Sequence, residues 1–389
     1  MKVTKLASHT PEAVRAALAA RGWDAGPAWL AATGVQPLLV LLEEITESER
    51  EGLVHWGARA GADVLTGPGW ALVGTAASRL APLARPDRVP ELLAGLAPEI
   101  ARFLSGYAEP PREWAIGGGA ALRVDRPVLI GVVNVTPDSF SDGGRFNAVE
   151  AAVAHAERLK ADGCDLLDVG GESTRPGAVR VAESEERERV VPVIAELVRR
   201  GLGPISVDTR KGEVARAAIG AGAAVVNDVS GGAFDPALLG VAARAGVGVI
   251  LMHMRGTPET MDGLATYADV AVEVAGELRA AAGRAEEAGV DRERIVLDPG
   301  FGFAKTSAHN FRLLDELAAV VGLGYPVAIG PSRKRFLGAA TGRPVDDRDR
   351  ATAVACALAW ERGARLFRVH DVTLAREALS VANATMHPT

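Results

Sequence analysis

From about residue 128 onward the chain repeats one unit eight times, a short β-branched apolar run followed by a stretch rich in Ala, Glu and Arg. The runs are Val128–Val135, Asp165–Val169, Pro204–Asp208, Ala224–Asp228, Val247–Met252, Arg294–Asp298, Pro326–Gly330 and Arg365–Val369. Most are apolar throughout instead of alternating, which is the pattern of parallel strands covered on both faces. Between them, Ala148–Asp162, Glu183–Arg200, Tyr267–Ala288 and Arg348–Arg362 carry apolar residues at three- and four-residue spacing, as amphipathic helices do. Eight strand and helix pairs in roughly 260 residues suit a (β/α)8 TIM barrel, whose usual size is about 250. A doubly wound open sheet has fewer strands per domain and opens more often with a Gly-rich dinucleotide turn, which the Val128 run lacks. The expected fold is α/β, with the barrel over residues 121–389 and a small N-terminal α/β extension over residues 1–120.

The extension reads differently from the barrel. It holds Trp23, Trp29, Trp56, Trp70 and Trp114, five of the six tryptophans, and helical stretches at Pro11–Arg21, Ser48–Ala60 and Val89–Tyr107 around a strand candidate at Val35–Leu42. Thr46 followed by Glu49 forms a capping box for the second helix. Pro110-Pro111 and the glycines Gly117, Gly118 and Gly119 read as its linker to the barrel. It carries no chemical constellation, so a docking or stabilising role is its plain reading.

Composition narrows the function. Net charge is −6, from 43 basic and 49 acidic residues that are interspersed, so a nucleic-acid surface has no electrostatic support. No apolar run approaches the roughly 18 residues of a spanning helix, and Met1–Arg15 lacks a signal-peptide core, so no membrane role is expected. Cys164 and Cys356 stand far apart, outside any zinc spacing, and a reducing cytoplasm is the expected compartment. Six lysines against 37 arginines suggest that a lysine kept in a loop serves for its compact, rotatable ammonium; Lys211, Lys305 and Lys334 lie in such loops.

The chemistry collects just after the strands, where Asn134, Asp168, Asp208, Asn227 with Asp228, His253, Asp298, Ser332–Lys334, and Arg368 with His370 stand. Strand ends of a (β/α)8 barrel converge on the face where active sites of this fold lie. Any one Asp or Asn there reads equally well as a cap or turn former, but eight polar ends together do not. The loop from Asn134 to Gly144 is polar and Gly-ended yet carries Phe140, the pattern of a lid with one aromatic for a ligand. The loop Gly170–Gly177 combines glycines, hydroxyls and Arg175 into an anion-binding set. With Lys334, Arg368 and His370 opposite Asp168, Asp208 and Asp298, the mouth suits a ligand anionic at one end and hydrogen-bond donating at the other.

The stretches GVVNVTPDSFSDGG (131–144), LDVGGESTRPG (167–177), ISVDT (205–209), VNDV (226–229), LMHM (251–254), LDPGFGFAK (297–305), SRKRFLG (332–338) and RVHDV (368–372) closely resemble the dihydropteroate synthases, from about Arg126 to the C-terminus. The resemblance implies condensation of 6-hydroxymethyl-7,8-dihydropterin diphosphate with p-aminobenzoate to 7,8-dihydropteroate and diphosphate. It assigns the pterin edge to Asp208, Asn227 and Asp298, with Asp168 beside them, Lys334 as donor to the pterin and Met252 on its flat face. It gives Asn134 as the Mg²⁺ ligand and places Thr174, Arg175, Arg368 and His370 at diphosphate-binding or loop-closing positions. Phe140, Pro176 and Lys334 frame the p-aminobenzoate slot, and the expected catalytic group is Asp208, Lys334, Arg368 and His370. Pro331 before the SRK motif and Arg335 after it depart from some relatives. A corrinoid-dependent methyltransferase barrel would share the pterin Asp and Asn but has no use for Arg175, Arg368 and His370. A non-catalytic pterin binder would be expected to lose Asn134, Arg175 or Lys334. Apolar residues on Ala351–Arg362 and Leu374–Ala384 further suggest a homodimer face.

Overall fold

The computed structural model describes residues 37–85, 87, 89–108, 110–135, 144–175 and 177–386. The expected helix Pro11–Arg21, Trp23, Trp29, most of the lid loop with Phe140, and Pro176 lie outside them.

The chain divides into two units, with the boundary between Pro110 and Pro111. In the first, β1 (Pro37–Glu43) and β2 (Asp63–Gly67) pair antiparallel to either side of a central β3 (Trp70–Ala76). Helix α1 (Glu47–Ala60) begins at the expected capping box, Thr46 with Glu49, and ends at left-handed Gly61. Helix α2 is Ala97–Ala108. Val40, Leu53, Val73, Leu83, Leu93 and Ile100 form the core. The β2–β3 hairpin was not expected, although Gly67-Pro68-Gly69, with φ of +74° at Gly69, is a clear turn and β3 alternates buried with less buried residues.

In the second unit eight parallel strands run β6 (Val128–Asn134), β7 (Leu166–Gly170), β8 (Ile205–Asp208), β9 (Val225–Asp228), β10 (Gly248–Met252), β11 (Ile295–Asp298), β12 (Ala328–Ile329) and β13 (Leu366–Val369). Their order around the sheet is β11-β10-β9-β8-β7-β6-β13-β12, and a parallel bridge between Leu297 and Val327 joins the two ends. All eight expected runs are therefore strands of one barrel. Nearly every strand residue is buried, which explains why the runs lack alternation.

A hairpin of β4 (Glu113–Ala115) and β5 (Ala121–Arg123) precedes β6 and belongs to the barrel unit, so the boundary falls about ten residues ahead of the expected one. The reason is packing. Trp114 and Ile116 are fully buried in one cluster with Val128, Leu166, Val225, Ile250, Val296 and Leu366, which closes the N-terminal end of the barrel. The Trp114 indole donates to the Arg294 carbonyl at 2.9 Å, and the Gly117 N–H to that of Ala224. The glycine triplet turns the hairpin, with positive φ at Gly118 and Gly119; it is not a linker.

Candidate active site

At the opposite end, four strands place side chains in one hydrogen-bonded set. Asp168, buried inside β7, accepts through Oδ2 from Asn227 Nδ2 at 3.0 Å and from Arg368 Nε at 2.6 Å. The same guanidinium reaches Asp208 Oδ2 through Nη2 at 2.9 Å, so Arg368 forks between two buried carboxylates. Among the described residues Asp168 Oδ1 is buried without a partner. Burial pushes the Asp208 carboxyl up; Arg368 pulls it back and Asp168 adds to the rise. Asp298 ends β11 and accepts the Gly300 N–H at 2.7 Å. Burial raises it to about 6, against the pull of that N–H and of Lys334 and Lys305.

Lys334 stands before helix α9 of the barrel, counted along the chain after α3 (Gly144–Ala161), α4 (Glu183–Arg199), α5 (Gly212–Gly220), α6 (Ala237–Ala245), α7 (Val270–Glu287) and α8 (Ser307–Asp315); α9 is Arg335–Thr341. Its ammonium lies 4.0 Å from the centroid of the Phe303 ring, and burial, with Arg368 nearby, lowers it to about 8. Two turns aim it there. Arg333 has a φ of 58°, unusual for a residue with a side chain, and is held by a fork to both oxygens of Asp349 at 2.8 Å. Gly302 has a φ of +80°, and a Cβ there would stand 2.9 Å from Lys334 Cδ. Met252, Phe303, Val229, Met261 and Ala304 form an apolar cluster beneath.

Asn134 ends β6 opposite Gly170 of β7. It is half-buried, and its amide has no hydrogen-bond partner among the described residues. His370 shares a 2.8 Å hydrogen bond between Nδ1 and Ser332 Oγ, and burial with Arg368 lowers it to about 3, a neutral imidazole. Thr174 is half-buried and Arg175 exposed, neither bonded to the carboxylate set.

The sequence-expected residues Asp168, Asp208, Asn227 and Arg368 thus meet directly, with Asp298, Lys334, Met252 and His370 around the same end of the barrel. Two strand-end residues act otherwise. Asp228 accepts from Ser230 and the Gly232 N–H, a turn former. His253 turns away to Glu277 Oε2 at 2.9 Å, while Lys305 Nζ meets its Nδ1 at 2.9 Å. The sequence reading missed Phe303 and this Lys305–His253 pair, and gave Ser332 only as a polar strand-end residue without its His370 partner; only the scarcity of lysine pointed to Lys305. Burial lowers Lys305 to about 7.

A parallel barrel whose mouth holds paired carboxylates, an amide and a lysine over an aromatic ring defines a pterin-binding barrel enzyme. The family model described as "Pterin binding enzyme" matches residues 130–370. The chain is 48% identical over 266 residues to the dihydropteroate synthase of Mycobacterium leprae, covering 67% of this chain and 93% of that one. To the Escherichia coli K12 enzyme it is 41% identical over 268 residues, covering 69% and 95%. The Xanthomonas albilineans dihydropteroate synthase solved with 4-aminobenzoic acid superposes with a TM-score of 0.66 at 47% identity, over 71% of this chain and 100% of that one. The same enzyme solved with 7,8-dihydropteroate gives 0.63 at 46% identity, over 70% and 98%. The chain belongs to the dihydropteroate synthase family.

Proposed function

We propose that the barrel joins 6-hydroxymethyl-7,8-dihydropterin diphosphate to p-aminobenzoate, giving 7,8-dihydropteroate and diphosphate for folate synthesis. The observation that carries this is the Asp168–Asn227–Arg368–Asp208 set, with Asp298 and Lys334 beside it. A pterin edge offers amino and ring N–H donors, and ionised carboxylates accept them. Among the described residues Asp208 Oδ1, Asp298 Oδ2 and Asn227 Oδ1 have no protein partner, so each is available to such an edge. Lys334 donates to the pterin carbonyl side while Met252 and Phe303 supply an apolar floor.

In the reaction the C–O bond of the pterin methylene breaks and diphosphate leaves with the electron pair. The aniline nitrogen then forms the C–N bond and gives up a proton to diphosphate or solvent. The dihydropterin delocalises the positive charge on the methylene, so the path is dissociative and needs charge stabilisation more than a strong base. Asp208 faces that charge; Arg368, His370, Thr174 and Arg175 serve the diphosphate side, and Phe140, Pro176 and Lys334 the p-aminobenzoate slot.

The described residues contain no group of three His, Cys, Asp or Glu able to cage a metal. A lone unpaired amide oxygen at Asn134 fits Mg²⁺, which keeps several waters and takes its other ligands from substrate phosphates. Bound there, the ion would neutralise leaving-group charge.

A homodimer and a cytoplasmic location complete the reading. Val354 and Leu358, one turn apart on the helix Asp349–Glu361, are 59% and 39% exposed, which supports an apolar face for a second copy. Both free cysteines are buried, in keeping with a reducing compartment, and no described helix is long and apolar enough to cross a membrane.

The test is product analysis. Protein with Mg²⁺, dihydropterin diphosphate and p-aminobenzoate should yield equimolar dihydropteroate and diphosphate. Methyl transfer from methyltetrahydrofolate to cobalamin, with no dihydropteroate, would contradict it.

A further inference from the structure

We infer that Lys211 is a positioning residue, fixing the stem of the loop that carries Thr174 and Arg175 by tying both of its ends to one buried ammonium. This rests on the reading above for what the loop does, but not for how it is held.

The loop joins β7 to α4. At its start stands Glu172 and at its end Val181, followed by Glu186 in the first turn of α4. Lys211 Nζ donates to Glu172 Oε2, to the Val181 carbonyl at 2.8 Å and to Glu186 Oε2. Three donors meet three acceptors, on side chains only 3% (Lys211), 8% (Glu172) and 1% (Glu186) exposed. Arg210 doubles the tie by donating to Glu172 Oε1 at 2.9 Å, and its guanidinium lies 4.3 Å from the centroid of Phe234, on which Arg180 of the loop also rests at 4.8 Å. Arg189 of α4 holds the Gly171 carbonyl at 2.7 Å. Between these anchors the described residues of the loop have little apolar hold, for Val179 is 84% exposed. Charge and hydrogen bonds, not burial of apolar side chains, therefore set the geometry of the stem.

The placement has a consequence for the reaction. Lys211 follows Asp208 by three residues, so the segment that presents a carboxylate to the pterin also anchors the loop for the diphosphate and p-aminobenzoate side. An ammonium rotates its three donors toward three separated acceptors, whereas a guanidinium fork is planar and fixed. That accounts for a lysine here in a chain with six lysines and 37 arginines.

The test compares the full chain with Lys211→Met, Lys211→Arg and Glu172→Gln. In the native state, trypsin cleavage at Arg180–Val181, followed by mass spectrometry, should accelerate at least tenfold in Lys211→Met and in Glu172→Gln, and Lys211→Arg should not restore protection. In steady state, KM for p-aminobenzoate should rise at least tenfold while the Kd of dihydropterin, by calorimetry, changes less than threefold. Lys211→Met leaves two buried glutamates without their ammonium. Should it fail to fold, Glu172→Gln, which leaves Glu186 paired, must give the same pattern alone. Cleavage at the wild-type rate in the folded variants overturns the inference, as does equal weakening of dihydropterin and p-aminobenzoate. A chain that makes no dihydropteroate at all would sink the functional reading while the cleavage rates still decide this one.

Discussion

Arg368 is the side chain on which the barrel mouth most depends, and Arg368→Met tests that dependence. Its guanidinium serves Asp168, which is 0% exposed, and Asp208, which is 10% exposed, at 2.6 and 2.9 Å. Removing it leaves two carboxylates close together in a dry barrel. Breaking a buried pair in this way costs about 3–5 kcal/mol. For a domain of this size each kcal/mol shifts Tm by about 2–4 °C, so Tm should fall by about 6–20 °C near pH 8. The pH dependence fixes the cause. Burial already raises Asp208 and Arg368 pulls it back, so without Arg368 its folded-state pKa lies further above its unfolded value, and Asp208 contributes stability below the unfolded pKa that is lost as pH rises through the folded one. The deficit should therefore shrink at pH 5. Thermal unfolding of both proteins at pH 5 and pH 8, followed by circular dichroism, measures it. A Tm loss under about 3 °C, or one independent of pH, would refute the view that Arg368 offsets the burial of these two carboxyl groups.

Asp298, raised to about 6, should bind pterin N–H donors only when ionised, so dihydropterin affinity should fall as pH drops through about 6; calorimetry from pH 5 to 8 checks it, and flat affinity would refute the assignment. Gly302→Ala places a Cβ at a φ of +80° and 2.9 Å from Lys334 Cδ, so it should cost about 1–3 kcal/mol in denaturant unfolding and lower kcat/KM by displacing Lys334. Trp114→Ala empties the closed end of the barrel and should cost about 3–5 kcal/mol, while KM for both substrates, measured below the lowered Tm, stays within about twofold.

The barrel was legible because burial on both faces leaves each strand as an unbroken apolar run, and eight such runs admit few folds. The β4–β5 hairpin was not, since strands of three residues around Gly117–Gly119 look locally like a linker, and only Trp114 packing beneath the barrel shows otherwise. The β2–β3 hairpin carried a usable signal in its Pro-Gly turn. Site residues could be read from their places after strands, but not their partners. Arg368 and Asp168 meet across 200 residues, and nothing local encodes the contact. His253 looked like a mouth residue by position, yet both its ring nitrogens are engaged, by Glu277 and by Lys305. Lysine scarcity pointed to Lys211 and Lys305, whereas Lys334 was also marked by its place after a strand and by the SRKRFLG motif.

The central claim is that this set of side chains, and not merely the barrel, carries out the condensation. Asp208→Asn tests it most directly, because it keeps the shape while removing the charge that faces both the pterin edge and the developing cation. A lost charge-assisted contact of about 1.5–3 kcal/mol corresponds to roughly a 10- to 150-fold loss in rate. The measurement is kcat/KM for dihydropteroate formation, with Tm recorded alongside. We expect a loss of at least tenfold with the protein still folded; activity within threefold of wild type would contradict the account.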